Sequence, residues 1–271
     1  MASGGDHDRM GLAEKTPERL SAWRWLPVWR RNLRVWRKLL GPSLLGNFGE
    51  PLLYLLALGY GLGSLVGEIQ QMPYIVFLAS GIVCSSAMYT ASFEGMYSAY
   101  TRMAVQKTWD AMLTAPLEVT DVVRGEVVWA ATKSLISGSA ILLVAGALDV
   151  VDGWRALWAL PTVFLTGLCF GAMALVVTSF AKNYDFFLYY NTLLMTPMLL
   201  LGGVFFPLER LPSPVQALAE FLPLTHAVAV VRPVMTGSAV ANPIWHLAIL
   251  FAYGLGALAL ASTLIRRRLM A

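Results

Sequence analysis

An all-α integral membrane protein is the fold class this sequence predicts, and three observations predict it. Hydrophobic residues make up 57% of the 271-residue chain, and its mean hydropathy is +0.62. Charged residues are only 13%, about half the share found in a soluble domain. Six apolar runs, at 44–66, 73–93, 127–148, 157–180, 187–206 and 244–265, each reach roughly the 20 residues that a helix needs to cross a bilayer. The expected architecture is therefore six transmembrane helices. An N-terminal cytoplasmic amphipathic interfacial helix precedes them, and an outer re-entrant or interfacial hairpin comes before the last span.

Residues 1–20 mix Gly, Asp, Arg, Glu and Pro with little apolar content and read as a mobile cytoplasmic N-terminus. No cleavable signal peptide is expected, because the first long apolar run starts only at Ser43. Residues 21–42 form the amphipathic element. At about 100° per residue, Ala22, Leu26, Trp29, Leu33, Trp36 and Leu40 fall on one face. Arg24, Arg30, Arg31, Arg34, Arg37 and Lys38 crowd the opposite arc. Such a helix lies in a membrane surface, its Trp and Leu face in the acyl boundary and its basic face against anionic headgroups. Residues 43–271 form the permease-like transmembrane domain.

Orientation follows from Lys and Arg placement. An even number of crossings puts both termini on one side, and that side collects sixteen of the 20 basic residues. The opposite side holds only Arg155, Arg210 and Arg232, with Lys133 inside a span. Both termini are expected to be cytoplasmic. The third outer connection, about 207–235, is long, rich in Pro and only partly polar, which suits a re-entrant segment. Gly202 and Gly203 before it would let the fifth span bend.

Signatures of chemistry are missing. There is no GxxxxGK[ST], HExxH, CxxC or EF-hand pattern, so no catalytic residue, no metal and no cofactor is expected in this chain. His7, His226 and His246 are scattered without metal-ligand spacing, and Cys84 and Cys169 read as small buried hydrophobes. Basic residues cluster at membrane edges and not among exposed aromatics, which excludes a nucleic-acid partner.

Glu94 and Lys133 are intramembrane charges. A charge at mid-bilayer costs about 2.5–3.5 kcal/mol on insertion scales, so each needs a partner. Lys133 lies roughly 13 Å deeper than Arg124, and its stem can snorkel back toward Glu94. Glu126, seven residues earlier on the same helical face, is the rival partner. The pair serves either to fix helix register or to take a direct part in transport. Between the second and third spans lies YTRMAVQKTWDAMLTAP, an amphipathic segment over about 100–115. Val105, Trp109, Met112 and Leu113 share one face, with Arg102, Gln106, Lys107 and Asp110 around or opposite it. The segment either rests on the membrane or docks into a groove on a partner.

Two weaker signals complete the reading. Gly167 and Gly171 form a GxxxG, and Gly59, Gly61 and Gly63 sit two apart; both allow close helix approach, within the chain or in a dimer. Tyr54, Tyr60, Phe187 and Tyr190 are candidates for a sugar path, against ordinary packing and interface belts.

The block SGIVCSSAMYTASFEGMYSAYTRMAVQKTWDAMLTAPLEVTDVVRGEVVWAATKSLISGSAILLV, with the later FFPLERLP and FLPLTHAVAVVRPVMTG, resembles NodJ-type permeases of the type-2 ABC transporter superfamily. The best-known members of that family export a lipo-oligosaccharide signal in nodulating bacteria. The resemblance extends over nearly the whole chain after Arg30. It implies a homodimer in the bacterial inner membrane, served by two copies of a separate ABC ATPase that carries the ATP and Mg. The stretch matched by Tyr100 to Ala115 would be the coupling helix, with Arg102, Met103, Gln106, Lys107, Trp109 and Asp110 facing the motor. The stretch matched by Trp25 to Leu40 would be the interfacial helix. The implied substrate is amphiphilic, lipid-linked or glycosylated, such as a lipo-oligosaccharide or polysaccharide. Alternatives are a multidrug or antibiotic efflux permease of the same superfamily, a membrane-embedded lipid transferase, and an ion-coupled carrier.

Overall fold

A computed structural model describes residues 23–38, 41, 49, 52–151 and 153–270. The N-terminal segment 1–20, the start of the first apolar run, and Ala22 and Leu40 of the amphipathic face lie outside the described residues. Among the described residues the fold is all-α apart from a two-residue antiparallel ribbon, β1 (Glu68–Ile69) with β2 (Met72–Pro73).

The helices are α1 (Leu26–Arg37), α2 (Leu52–Val66), α3 (Tyr74–Val105), α4 (Thr108–Leu113) and α5 (Val119–Ala147). They are followed by α6 (Trp154–Phe180), α7 (Phe186–Leu201), α8 (Ser213–Ala219), α9 (Pro223–Thr236) and α10 (Pro243–Met270). Four of them, α3, α5, α6 and α10, are long and apolar enough to cross a membrane by themselves. The first and fifth apolar runs give the shorter helices α2 and α7, each with a π-helical stretch.

Helix α3 is the centre of the bundle: 83% of its apolar stretch is buried, against 17% for α10. It packs on α5 and α6 around Phe77, Met88, Met96, Trp129, Phe170 and Leu175. Glycines set the approach distances. A Cβ on Gly95 would come within 2.7 Å of Ala174, and one on Gly81 within 2.6 Å of the Val204 carbonyl. The GxxxG is an intrachain seam. A Cβ on Gly167 would stand 2.7 Å from Ala131 Cα, and one on Gly171 3.0 Å from Ala130 Cβ. Gly167→Leu is therefore expected to wedge α6 off α5, costing about 1–3 kcal/mol and lowering the unfolding midpoint in detergent. A normal midpoint with loss of self-association alone would instead place the motif at a dimer interface.

The stretch 100–115, read from the sequence as one helix, is divided. Tyr100–Val105 completes α3, Lys107 turns the chain with a left-handed φ of 54°, and only Thr108–Leu113 forms the separate helix α4. No Gly or Pro marks that turn. Helix α5 starts eight residues before the predicted span: Glu118 and Asp121 form a capping box behind Pro116, satisfying two of the amides that a helix start leaves open.

Connections 67–73, 148–151 and 202–242 gather at one end of the bundle, and α4, Ala181 and the C-terminus of α10 at the other. Helices α8 and α9 are bent by 87° to one another. The neighbours of α9 are all at the first end. His226 meets His246 at the start of α10, and Arg232 donates to Ser80 Oγ (3.0 Å) and the Gly203 carbonyl (2.6 Å) while covering the Phe77 ring. Trp154, Trp158, Phe221 and Trp245 are exposed there, as aromatics are at a membrane–water boundary. At the opposite end Arg268 donates to the carbonyls of Thr178 (2.7 Å) and Ser179 (3.1 Å), occupying acceptors that the end of α6 leaves open.

Candidate functional site

Where α1, α3, α4 and α5 meet, the chain buries a cluster of charges. Glu94 on α3 is 4% exposed and Glu126 on α5 2%, so neither carboxylate is hydrated enough to stand alone. Lys133 Nζ lies 2.9 Å from Glu94 Oε2. Arg102 Nη2 donates to Glu94 Oε1 at 2.8 Å and also to Glu126 Oε2, while its Nε donates to Glu126 Oε1 at 3.0 Å. The guanidinium thus bridges both acids, in the fork geometry that arginine alone offers. Neutral donors complete the shell: Trp129 Nε1 to Glu94 (3.0 Å), Trp109 Nε1 to Glu126 (3.2 Å) and Asn32 Nδ2 to Glu126 (3.1 Å). Two acids and two bases cancel.

Local structure explains the convergence. On α5, Glu126, Trp129 and Lys133 are three, four and seven apart and share a face. On a regular helix, Glu94 and Arg102 would point about 80° apart. Two π-helical runs, Glu94–Ser98 and Thr101–Val105, take up that offset, because a π turn holds more residues than an α turn.

Helix α1 has three sides instead of two. Leu26 and Leu33 lie on the predicted apolar face, and Arg30, Arg34, Arg37 and Lys38 are exposed. A third edge docks along α5. Val28 packs over Gly125, Asn32 reaches Glu126, Trp29 Nε1 donates to Thr132 Oγ1 (3.0 Å), and Trp36 meets Trp129 edge-on. Arg24 ties the start of α1 to Asp121 (3.2 Å), Glu118 (3.4 Å) and the Pro116 carbonyl. Arg31 is half-buried. Burial, then repulsion from Arg102, lowers its guanidinium's hold on the proton below the ordinary arginine value, and the pull of Glu126 opposes this.

The predicted site residues are thus redistributed. Among the residues expected to face a motor, Arg102, Met103 and Trp109 are directed into the fold, and Gln106, Lys107 and Asp110 are exposed. Glu126, the rival partner for Lys133, is instead held by Arg102. The aromatics Tyr54, Tyr60, Phe187 and Tyr190 do not converge. Tyr54 lies against Phe205 beyond the end of α7, and Tyr60 is exposed on α2. Phe187, at the start of α7, is buried against Tyr97 and Tyr100, while Tyr190 is buried with no partner for its hydroxyl among the described residues. A ladder the sequence reading did not isolate runs through Tyr89, Phe93, Tyr97 and Tyr184, each ring stacked on the next within 5.4–6.1 Å; its i, i+4, i+8 spacing on α3 was the available signal. Two of the scattered histidines also meet. His226 Nε2 faces the Glu220 carbonyl at 2.8 Å and must donate, so His246 Nδ1 donates to a neutral His226 Nδ1 at 2.8 Å.

Residues 25–236 match the family described as ABC-2 type transporter. The chain is similar to Nodulation protein J of Rhizobium meliloti (strain 1021), 42% identical over 250 residues that cover 92% of this chain and 95% of that protein. It is 45% identical over 246 residues to Nodulation protein J of Rhizobium leguminosarum bv. trifolii, covering 91% and 94% of the two chains. It is also 27% identical over 207 residues to Inner membrane transport permease YadH of Escherichia coli (strain K12), covering 76% and 78%.

Proposed function

Because the chain belongs to the ABC-2 type transporter family and is a multi-pass membrane transport subunit of the NodJ type, we propose that it is the permease of an ATP-driven exporter. Its substrate would be an amphiphilic, lipid-linked or glycosylated molecule moved outward across the bacterial inner membrane. The working unit is a homodimer of six-crossing chains with both termini cytoplasmic and α8–α9 re-entrant from the outer face. Two ABC ATPase subunits bind below, holding the ATP and Mg.

One observation carries the reading: α4 is wired to the buried charge cluster. Trp109 and Arg102 bracket the turn between α3 and α4, and both hold Glu126 on α5, while Arg102 also holds Glu94. A push on α4 is delivered to both long helices at one point. The motor grips the exposed Gln106, Lys107 and Asp110, and the buried side chains pass the load on.

Trp109→Phe keeps an aromatic ring of smaller size and deletes the N–H donor. A hydrogen bond to a charged group contributes about 1.5–3 kcal/mol, so export per ATP hydrolysed by the chain and its ATPase in proteoliposomes should fall about tenfold or more. ATPase co-purification should stay unchanged. Undiminished export would reject α4 as the lever. Export by the chain without any ATPase would reject the transport assignment in favour of an ion-coupled carrier, and turnover of a lipid by the chain alone would favour the transferase.

A further inference from the structure

A cleft of 180 Å³ opens beside the charge cluster, between α1 and the α3–α5 pair. Its polar lining is Arg31, Asn32, Ser98, Arg102, Lys133 and Glu94, and its apolar walls are Val35, Trp36 and Trp129. Arg102 and Lys133 are spoken for by the two carboxylates. Arg31 is not. Among the described residues no carboxylate lies within ion-pair distance of it, and its side chain's one hydrogen bond is Nη1 to Asn32 Oδ1 at 3.0 Å. Lys133 gives one of its three N–H donors to Glu94, and the Ser98 hydroxyl has no partner among the described residues. The cleft therefore offers a surplus of one positive charge and several free donors.

We infer that this cleft binds the phosphate-bearing headgroup of an anionic glycerophospholipid from the cytoplasmic leaflet. The ligand must supply one negative charge and several acceptor oxygens, which a phosphodiester does, to the guanidinium above all. The volume equals that of about six waters, room for a phosphate and its adjoining carbons but not for a chain of sugars. The apolar walls then lead acyl chains away along Val35 and Trp36. A zwitterionic headgroup fits worse, because its cation would stand among Arg31, Arg102 and Lys133. The lipid becomes the counter-ion that Arg31 lacks among the described residues, and α1 is fastened to α3 and α5 through it. This inference goes beyond the transport reading and rests on it only for the orientation that puts α1 at the cytoplasmic leaflet.

The test uses the full-length chain in phosphatidylcholine mixed micelles titrated with phosphatidylglycerol, with bound lipid counted by native mass spectrometry and the unfolding midpoint followed. The wild type should retain one phosphatidylglycerol and gain thermal stability saturably. Arg31→Gln should weaken that binding about tenfold, Arg31→Lys should keep the preference for the anionic lipid, and Arg34→Gln, on the outward face of α1, should behave as wild type. Wild-type affinity in Arg31→Gln, or loss of the preference in Arg31→Lys, overturns the inference. Equal binding of phosphatidylcholine overturns it too, and equal binding of free glycerol 3-phosphate overturns the lipid assignment.

Discussion

Arg102→Ala is expected to lose about 3–5 kcal/mol of stability, the cost of breaking a buried ion pair by removing one partner. Few point substitutions should do more harm to this protein. Arg102 holds both acids of the cluster. Without it, Glu126 keeps only the neutral donors of Trp109 and Asn32, and Glu94 keeps Lys133 and Trp129. One negative charge then stays buried without its cation, with an empty space where the guanidinium was. Arg102→Lys should recover only part of the loss, since one ammonium cannot present the planar fork that spans two carboxylates. The informative rescue is Arg102→Met with Glu126→Gln, which restores neutrality and leaves the Glu94–Lys133 pair in place. Unfolding midpoints of the purified variants in detergent decide the matter. An Arg102→Ala midpoint equal to wild type would mean that the cluster is hydrated and mechanically idle.

Gly81→Val is expected to be nearly as damaging, for a steric reason. The first side-chain atom would lie 2.6 Å from the Val204 carbonyl oxygen and 2.7 Å from Val204 Cα. Both are backbone, so no rotamer can yield. Overpacking costs about 1–3 kcal/mol where side chains can adjust and more where they cannot. Here α3 must move away from the Gly202–Gly203 turn, where Gly203 takes a left-handed φ of 75°. That movement strips Arg232 of its bonds to Ser80 and Gly203, because the same contact holds them in reach. Reduced yield of folded protein and protease cleavage between α7 and α9 are the expected readouts. An unaltered cleavage pattern with wild-type yield would show that the turn moves freely against α3.

The charge cluster shows how far the sequence could be read. Glu94, Glu126 and Lys133 stand out in a linear reading, because an ionised group inside an apolar run has to be explained. Arg102 and Trp109 do not. Both were singled out only as residues facing a motor, Trp109 on the apolar face of the 100–115 segment and Arg102 away from it, and the π turns that redirect Arg102 leave no residue-type signature. Asn32 was equally hidden, a neutral residue on the flank of a helix whose two evident faces are apolar and basic. Gly167 and Gly171 were visible as a motif, but two glycines carry no information about which helix they approach.

The sequence by itself determined that this is an all-α membrane protein. It also showed where its apolar runs lie, which family it resembles, and which charges need partners. The resemblance rests on matching blocks of sequence; the other properties follow from summed transfer energies and local spacing, both additive along a chain. The tertiary structure alone decided that one arginine joins two acids, that α1 docks along α5 by a third edge, and that α4 is tied inward through an indole. Such contacts depend on backbone departures and on distances between residues far apart in the chain, and neither has a period that a linear pattern can display.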